Sequence, residues 1–237
     1  MSKFDSIPAS QRIIVALDRD AQRAIEIAQS LRGKASWLKV GMTLYYEQGP
    51  CIVKTFKDMG FNVFLDLKFF DIPHQVKGAA QSACLSGADM ITMHAFGGSE
   101  MMRAAVDGIE ELHLENSPIT LAVTVLTSMN QDNLKEIGID HIVADQVSSL
   151  ARLACESGVS GVVASPQEAV MLRKQLGEDA YIVTPGVRPL GSAKGDQSRV
   201  TTPEQAFKNG ASHIVIGRPI TEQPDPGKAF IDIAKGL

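Results

Sequence analysis

The 237-residue chain is 44% hydrophobic and 21% charged, with 20 Gly and 11 Pro, a composition that excludes a disordered protein and suits one compact domain over residues 1–237. A formal net charge of -4 supplies no chain-wide basic field, so no nucleic-acid partner is expected, and an anionic small ligand would need a local cationic pocket. The opening "MSKFDSIPASQR" has no apolar stretch of the signal-peptide kind, and no run approaches about 18 apolar residues, so the expectation is a soluble, cytoplasmic protein with no membrane partner.

In chain order, short apolar β-type runs alternate with longer helical patterns. The predicted strands are "RIIVALD" (Arg12–Asp18), "WLKVG" (Trp37–Gly41), "NVFLDLKF" (Asn62–Phe69), "MITMHA" (Met90–Ala95), "ITLAVTVL" (Ile119–Leu126), "GVVAS" (Gly161–Ser165), "YIVTPGV" (Tyr181–Val187) and "HIVIGRPI" (His213–Ile220). Between them, segments such as "AQRAIEIAQSLRG" and "VKGAAQSACLSGA" carry apolar residues at helical spacing, with Gly near the end as a stop signal. Near-continuous hydrophobic strands imply burial on both faces, hence a parallel sheet covered by helices. Eight strand–helix units in about 240 residues fit a closed (β/α)8 TIM barrel; a doubly wound open sheet is the structural alternative. Cys51, Cys84 and Cys155 fall in helical segments without CxxC or metal-like spacing, and read as reduced packing residues.

The stretch "VFLDLKFFDIPHQ", Val63 to Gln75, sets Asp66, Lys68 and Asp71 in an otherwise apolar run. Alternation along a strand sends Asp66 and Lys68 to one face and Leu65, Leu67 and Phe69 to the other. Burying either charge costs several kcal/mol unless it is paired. Other polar exceptions gather at strand ends: Asp18 on the first strand, Lys39 on the second, Thr127 after the fifth, and Arg188 and Arg218 after the seventh and eighth. In a barrel these ends converge on one mouth, where active sites sit. A single such residue is equally well a strand-end side chain solvated in a loop, but so many on one rim point to a site.

The stretches "TPGVRPLGSAKGDQSR" and "VIGRPI" add a second signal, because the loops after strands seven and eight of a barrel commonly bind phosphate. Gly217 lets the backbone approach an oxyanion, and Arg218 supplies a two-pronged donor. The long loop from Arg188 to Arg199 is of the kind that orders over a bound ligand, or else is a surface connection between two elements.

With "VALD" and "LKVG" before it and "VTVLTSM", "VTPGVRPLGSAKGDQ" and "VIGRPI" after it, "LDLKFFDIP" resembles the bacterial type of the orotidine 5'-phosphate decarboxylase family. The resemblance runs from about Arg12 to Asp225. It implies a homodimeric (β/α)8 barrel that converts orotidine 5'-phosphate to UMP and carbon dioxide, with no cofactor and no metal. It further implies an alternating charge array of Lys39, Asp66, Lys68 and, from the neighbouring subunit, Asp71, with Lys68 as proton donor. By the same resemblance Asp18 and Lys39 contact ribose hydroxyls and Thr127 reads the pyrimidine edge. Gln197, Arg218 and the backbone at Gly217 hold phosphate, with Arg188 on the loop beside them, while Ile72, Pro185 and Val187 line the apolar side of the base pocket.

One departure is local. Family members often read His-Asp-Ile-Pro-Asn-Thr where this chain has Phe70, Asp71, Ile72, Pro73, His74 and Gln75, so Gln75 replaces a Thr that contributes to the partner's site, and His74 reads as a loop residue. His94 and the remaining histidines read as structural. The runner-up is a magnesium-dependent sugar-phosphate decarboxylase or aldolase of the same superfamily, acting on 3-keto-L-gulonate 6-phosphate or a hexulose phosphate. Those enzymes hold the metal partly through an acidic residue where this chain has Lys39, and an ammonium there opposes a divalent cation. A non-catalytic barrel that senses phosphorylated ligands would have no use for the Asp66–Lys68 array.

Overall fold

The computed structural model describes residues 2–189 and 201–237. Strands β1 (Ile13–Ala16), β2 (Trp37–Gly41), β3 (Asn62–Phe69), β4 (Met90–His94), β5 (Ile119–Val123), β6 (Gly161–Val163), β7 (Tyr181–Thr184) and β8 (His213–Ile216) form a closed parallel barrel. Strand β8 pairs back onto β1, which excludes the open doubly wound sheet. The connections carry α1 (Ala21–Leu31), α2 (Met42–Gln48), α3 (Cys51–Asp58), α4 (Pro73–Leu85), α5 (Gly98–Glu110) and α6 (Gln131–Glu136). They continue with α7 (Val143–Glu156), α8 (Ala169–Leu176), α9 (Pro203–Lys208), α10 (Arg218–Thr221) and α11 (Pro226–Lys235).

Period-two alternation divides the apolar residues into two cores. Ile13, Val15, Leu38, Val63 and Leu65 face outward and pack against helix residues such as Ile27, Leu31 and Phe56. Ile14, Trp37, Phe64, Met90, Leu121, Val183 and Val215 face inward and fill the barrel, each contributing about 1.5–3 kcal/mol when fully buried. Register sets these inward residues side by side, Ile14 against Trp37 and Phe64 against Met90. Gly161 is required where β6 meets β7, because a Cβ there would collide with the Tyr181 carbonyl oxygen. At the N-terminal end of the barrel, Phe4 packs edge-on to Tyr181 with ring centroids 5.0 Å apart. His213 lies against Phe4, Trp37 and Tyr181; burial, assisted by the Arg12 charge, lowers its pKa to about 4.

The structure departs from the expected boundaries where the backbone chemistry changes. Strand β8 ends at Ile216, and the "RPI" of the predicted eighth strand is the helical turn α10. Gly217 breaks the extended run with φ -106° and ψ -104°, and Pro219, lacking an N–H, is suited to a first helical turn. Arg12 belongs to a 3-10 turn, Ala9–Arg12, and β1 stops at Ala16, so Asp18 stands two residues past its strand. His74 and Gln75 lie in the first turn of α4 and not in a loop. All three cysteines are free, but only Cys84 is buried; Cys51 and Cys155 are exposed and are not packing residues.

Candidate active site

The alternation that builds the inner core also delivers the polar side chains to its C-terminal end. Two residues beyond Trp37 comes Lys39; two and four beyond Phe64 come Asp66 and Lys68; two and four beyond Met90 come Thr92 and His94. Lys39 and Asp66 are only 8% and 9% exposed, and each meets an opposite charge. Lys39 Nζ lies 2.8 Å from Asp18 Oδ1 and 3.5 Å from Asp66 Oδ2. Lys68 Nζ donates to Asp66 Oδ1 at 2.9 Å. The result is a continuous chain Asp18–Lys39–Asp66–Lys68, alternating in sign from the loop after β1 across β2 and β3.

Burial on its own would raise the Asp66 pKa, but Lys39, Lys68 and hydrogen bonds from Lys68 and Thr92 outweigh it and hold the carboxyl below the usual range. For Lys39 burial likewise works against the charge, and the attraction of Asp66 and Asp18 overcomes it, leaving the pKa above that of an ordinary lysine. The charged forms therefore sustain one another, and removing Lys39 or Asp66 takes one of its two partners from the other buried ion.

Backbone geometry at Lys68 is unusual. Its φ is 54°, the left-handed region that a side chain with a Cβ enters at a cost of about 1–3 kcal/mol. The cause is a bulge in β3: Leu65 pairs with Ile91 and Phe69 with Met93, so four steps along β3 match two along β4. Bulges re-aim side chains, and this one turns the Lys68 N–H away from the ladder to donate to Thr92 Oγ1 at 2.9 Å. The same hydroxyl donates to Asp66 Oδ1 at 3.0 Å.

The array forms one wall of a cavity of about 530 Å3 at the barrel mouth. Of the residues singled out from sequence, Asp18, Lys39, Asp66, Lys68, Thr127, Pro185, Val187, Arg188, Gly217 and Arg218 line it. Asp71 and Ile72 do not: both are exposed, and Asp71 Oδ1 accepts the Ile72 N–H at 2.6 Å. Among the described residues Asp71 makes no ion pair, while Ile72 and Phe70 expose 64% and 63% of their surface beside it. Gln197 lies outside the described residues. On either side of that segment, Val187 and Thr201 form a β-bridge, with the Arg188 N–H donating to the Thr201 carbonyl at 2.9 Å. Among the described residues no group of three His, Cys, Asp or Glu side chains is placed to hold a metal ion.

Four residues were not singled out as site residues by sequence. Thr92 holds both Asp66 and the Lys68 backbone, and its signal was its place two residues past Met90. His94, read as structural, has its ring centroid 5.6 Å from that of Phe70 and an Nδ1 with no hydrogen-bond partner among the described residues. Burial, then the Lys68 charge, lowers its pKa below the ordinary histidine value, with Asp66 acting in opposition. Arg19 and Glu222 also line the cavity and pair at 2.6 Å, a contact between the two ends of the chain that only barrel closure creates.

Comparison with known proteins places this architecture in a family. The model of the orotidine 5'-phosphate decarboxylase / HUMPS family matches residues 11–233. The chain is 48% identical to orotidine 5'-phosphate decarboxylase of Idiomarina loihiensis, over 97% of this chain and 99% of that protein. It is 46% identical to the enzyme of that name from Maridesulfovibrio salexigens, over 92% and 94% of the two chains. Among solved structures, orotidine 5'-phosphate decarboxylase from Lactobacillus acidophilus is similar with a TM-score of 0.84 and 38% identity, covering 95% of this chain and 98% of that one. With a matching family model over nearly its whole length and relatives near half identical, the chain belongs to the orotidine 5'-phosphate decarboxylase / HUMPS family.

Proposed function

We propose that the protein is an orotidine 5'-phosphate decarboxylase, releasing carbon dioxide to form UMP in pyrimidine biosynthesis. The observation that carries this reading is the charge chain Asp18–Lys39–Asp66–Lys68, buried at Lys39 and Asp66, on the wall of a cavity that Gly217 and Arg218 also line. When the C6–carboxylate bond breaks, the electron pair remains in the plane of the pyrimidine ring, where the π system cannot delocalise it. A fixed ammonium beside C6 stabilises that charge and then transfers its proton to C6. Lys68 is assigned this role, with Asp66 orienting it at 2.9 Å and lying beside the departing carboxylate.

Binding roles follow from position. Asp18 and Lys39 take the ribose hydroxyls, Thr127 the pyrimidine edge, and Pro185 and Val187 the apolar face of the base. Arg218 and the Gly217 backbone take the phosphate together with Gln197 and Arg188, and the phosphate contacts supply binding energy that positions the reacting ring. Asp71 is assigned to the site of a twofold partner, supported by its exposure beside the exposed Phe70 and Ile72.

The magnesium-dependent alternative is disfavoured by Lys39, whose ammonium already bridges Asp18 and Asp66 and opposes a second cation in that position. The deciding experiment follows orotate absorbance after orotidine 5'-phosphate is added in the presence of a chelator. Full turnover is expected; activity lost to the chelator and restored by Mg2+ would favour the alternative.

A further inference from the structure

The contact between Arg19 and Glu222 is a feature of the site that the decarboxylase reading leaves unused. Arg19 Nη2 lies 2.6 Å from Glu222 Oε1. Arg19 follows Asp18 directly, at the ribose end of the charge array, and the Glu222 N–H donates to the Arg218 carbonyl at 3.1 Å, at the end of the α10 turn. The pair thus joins the loop after β1 to the turn after β8 across the phosphate side of the mouth.

Stability does not account for the pair. With side chains 34% and 51% exposed, such an ion pair contributes about 0–1 kcal/mol, and a carboxylate beside an anion site repels the ligand it should admit. Charge balance suggests another role. Among the described residues the cavity is lined by Arg19, Lys39, Lys68, Arg188 and Arg218 against Asp18, Asp66 and Glu222. The lysines and aspartates offset each other in the array, so Arg19 is the cation that keeps Glu222 from opposing a phosphate dianion. Its partner Glu222, with a side chain 51% exposed, can be resolvated by water when Arg19 is drawn away.

We propose that Arg19 is a specificity residue for the phosphoryl group and that Glu222 competes with the phosphate for it. A phosphate dianion offers Arg19 a doubly charged acceptor suited to its planar fork, and the exchange leaves Glu222 in contact with solvent. This rests on the phosphate end of the site proposed above. Calorimetric titration with UMP and with uridine tests it on the wild type, Arg19→Gln, Glu222→Gln and the double variant. Arg19→Gln is expected to weaken UMP about tenfold and leave uridine unchanged, whereas Glu222→Gln tightens UMP by about threefold, a gain lost in the double variant. Equal weakening of UMP by both single variants would make the pair a strut and overturn the proposal, as would equal losses on UMP and uridine in Arg19→Gln, or no loss on either. In those cases a wild type that still prefers UMP to uridine leaves the decarboxylase reading intact; a wild type with no such preference sinks both.

Discussion

The Thr92 hydroxyl and the Asp66 carboxylate are 3.0 Å apart, and through that one hydroxyl the fourth strand holds both ends of the Asp66–Lys68 pair, since it also accepts the Lys68 N–H at 2.9 Å. Thr92→Val keeps the shape and removes the hydroxyl. It leaves a strained backbone N–H without its acceptor and a buried carboxylate short of one donor, at a cost of about 1–3 kcal/mol in stability. Because Lys68 is then less firmly aimed, kcat is expected to fall about 10–100-fold with little change in KM. Steady-state kinetics beside urea unfolding checks both numbers; a stability loss with unchanged kcat would limit Thr92 to the fold.

Gly41 tests the other end of the array. A Cβ at this position would lie 2.7 Å from Asp18 Oδ1 and 3.0 Å from Lys39 Nζ, while its φ of -91° is open to any residue. Gly41→Ala is therefore expected to leave the backbone sound and to displace the Asp18–Lys39 pair. A drop in kcat/KM of about 10–100-fold with a small change in Tm is the expected outcome, and unchanged kinetics would show that the pair tolerates the shift.

The expected pH dependence of stability comes from the opposite end of the barrel. His213 has its pKa lowered from 6.5 to about 4 by burial, with Arg12 adding to the effect, so the folded state binds its proton less readily than the unfolded chain. The stability contributed by a neutral His213 is present in full above pH 6.5 and is lost as pH falls from 6.5 toward 4, amounting to about 3 kcal/mol at the acid limit. Urea unfolding of the wild type and His213→Gln at pH 7 and pH 4.5 isolates this contribution. The wild type should lose more stability than the variant over that interval, and parallel losses would assign the acid sensitivity to other groups.

The shared-site assignment of Asp71 has a direct test. Lys68→Ala and Asp71→Ala subunits, each nearly inactive alone, are mixed in equal amounts and refolded together. Random pairing in a closed twofold dimer makes about half the dimers mixed, each with one intact site, so about a quarter of wild-type activity should return. If Asp71 serves its own chain's Lys68, every site carries a lesion and activity stays at the level of the parents.

What could be read from the chain follows the range over which each feature is determined. Strands β2 and β3 were legible to the residue, because alternation, aromatic and β-branched residues and flanking turn signals all lie within the segment. The gathering of Asp18, Lys39, Asp66, Lys68 and Arg218 at one mouth followed once eight such units closed into a barrel. The left-handed backbone at Lys68 was not legible, since it depends on how β3 meets β4 and no glycine marks it. Thr92 looked like any strand threonine until its neighbours were in place, and Arg19 with Glu222 are 203 positions apart in sequence. The eighth strand was read too long because "RPI" is apolar enough for a strand; the Gly217 turn and Pro219 decide it for a helix.

The most direct test of the decarboxylase assignment is one measurement of product by NMR. Orotidine 5'-phosphate is incubated in deuterium oxide with the purified protein and, in parallel, with Lys68→Ala. If Lys68 supplies the proton that replaces carbon dioxide, the wild type yields UMP carrying one deuterium at C6, and the variant yields almost none. Orotidine 5'-phosphate recovered intact from the wild type would contradict the decarboxylase reading, and labelled UMP formed equally fast by Lys68→Ala would contradict the role assigned to Lys68.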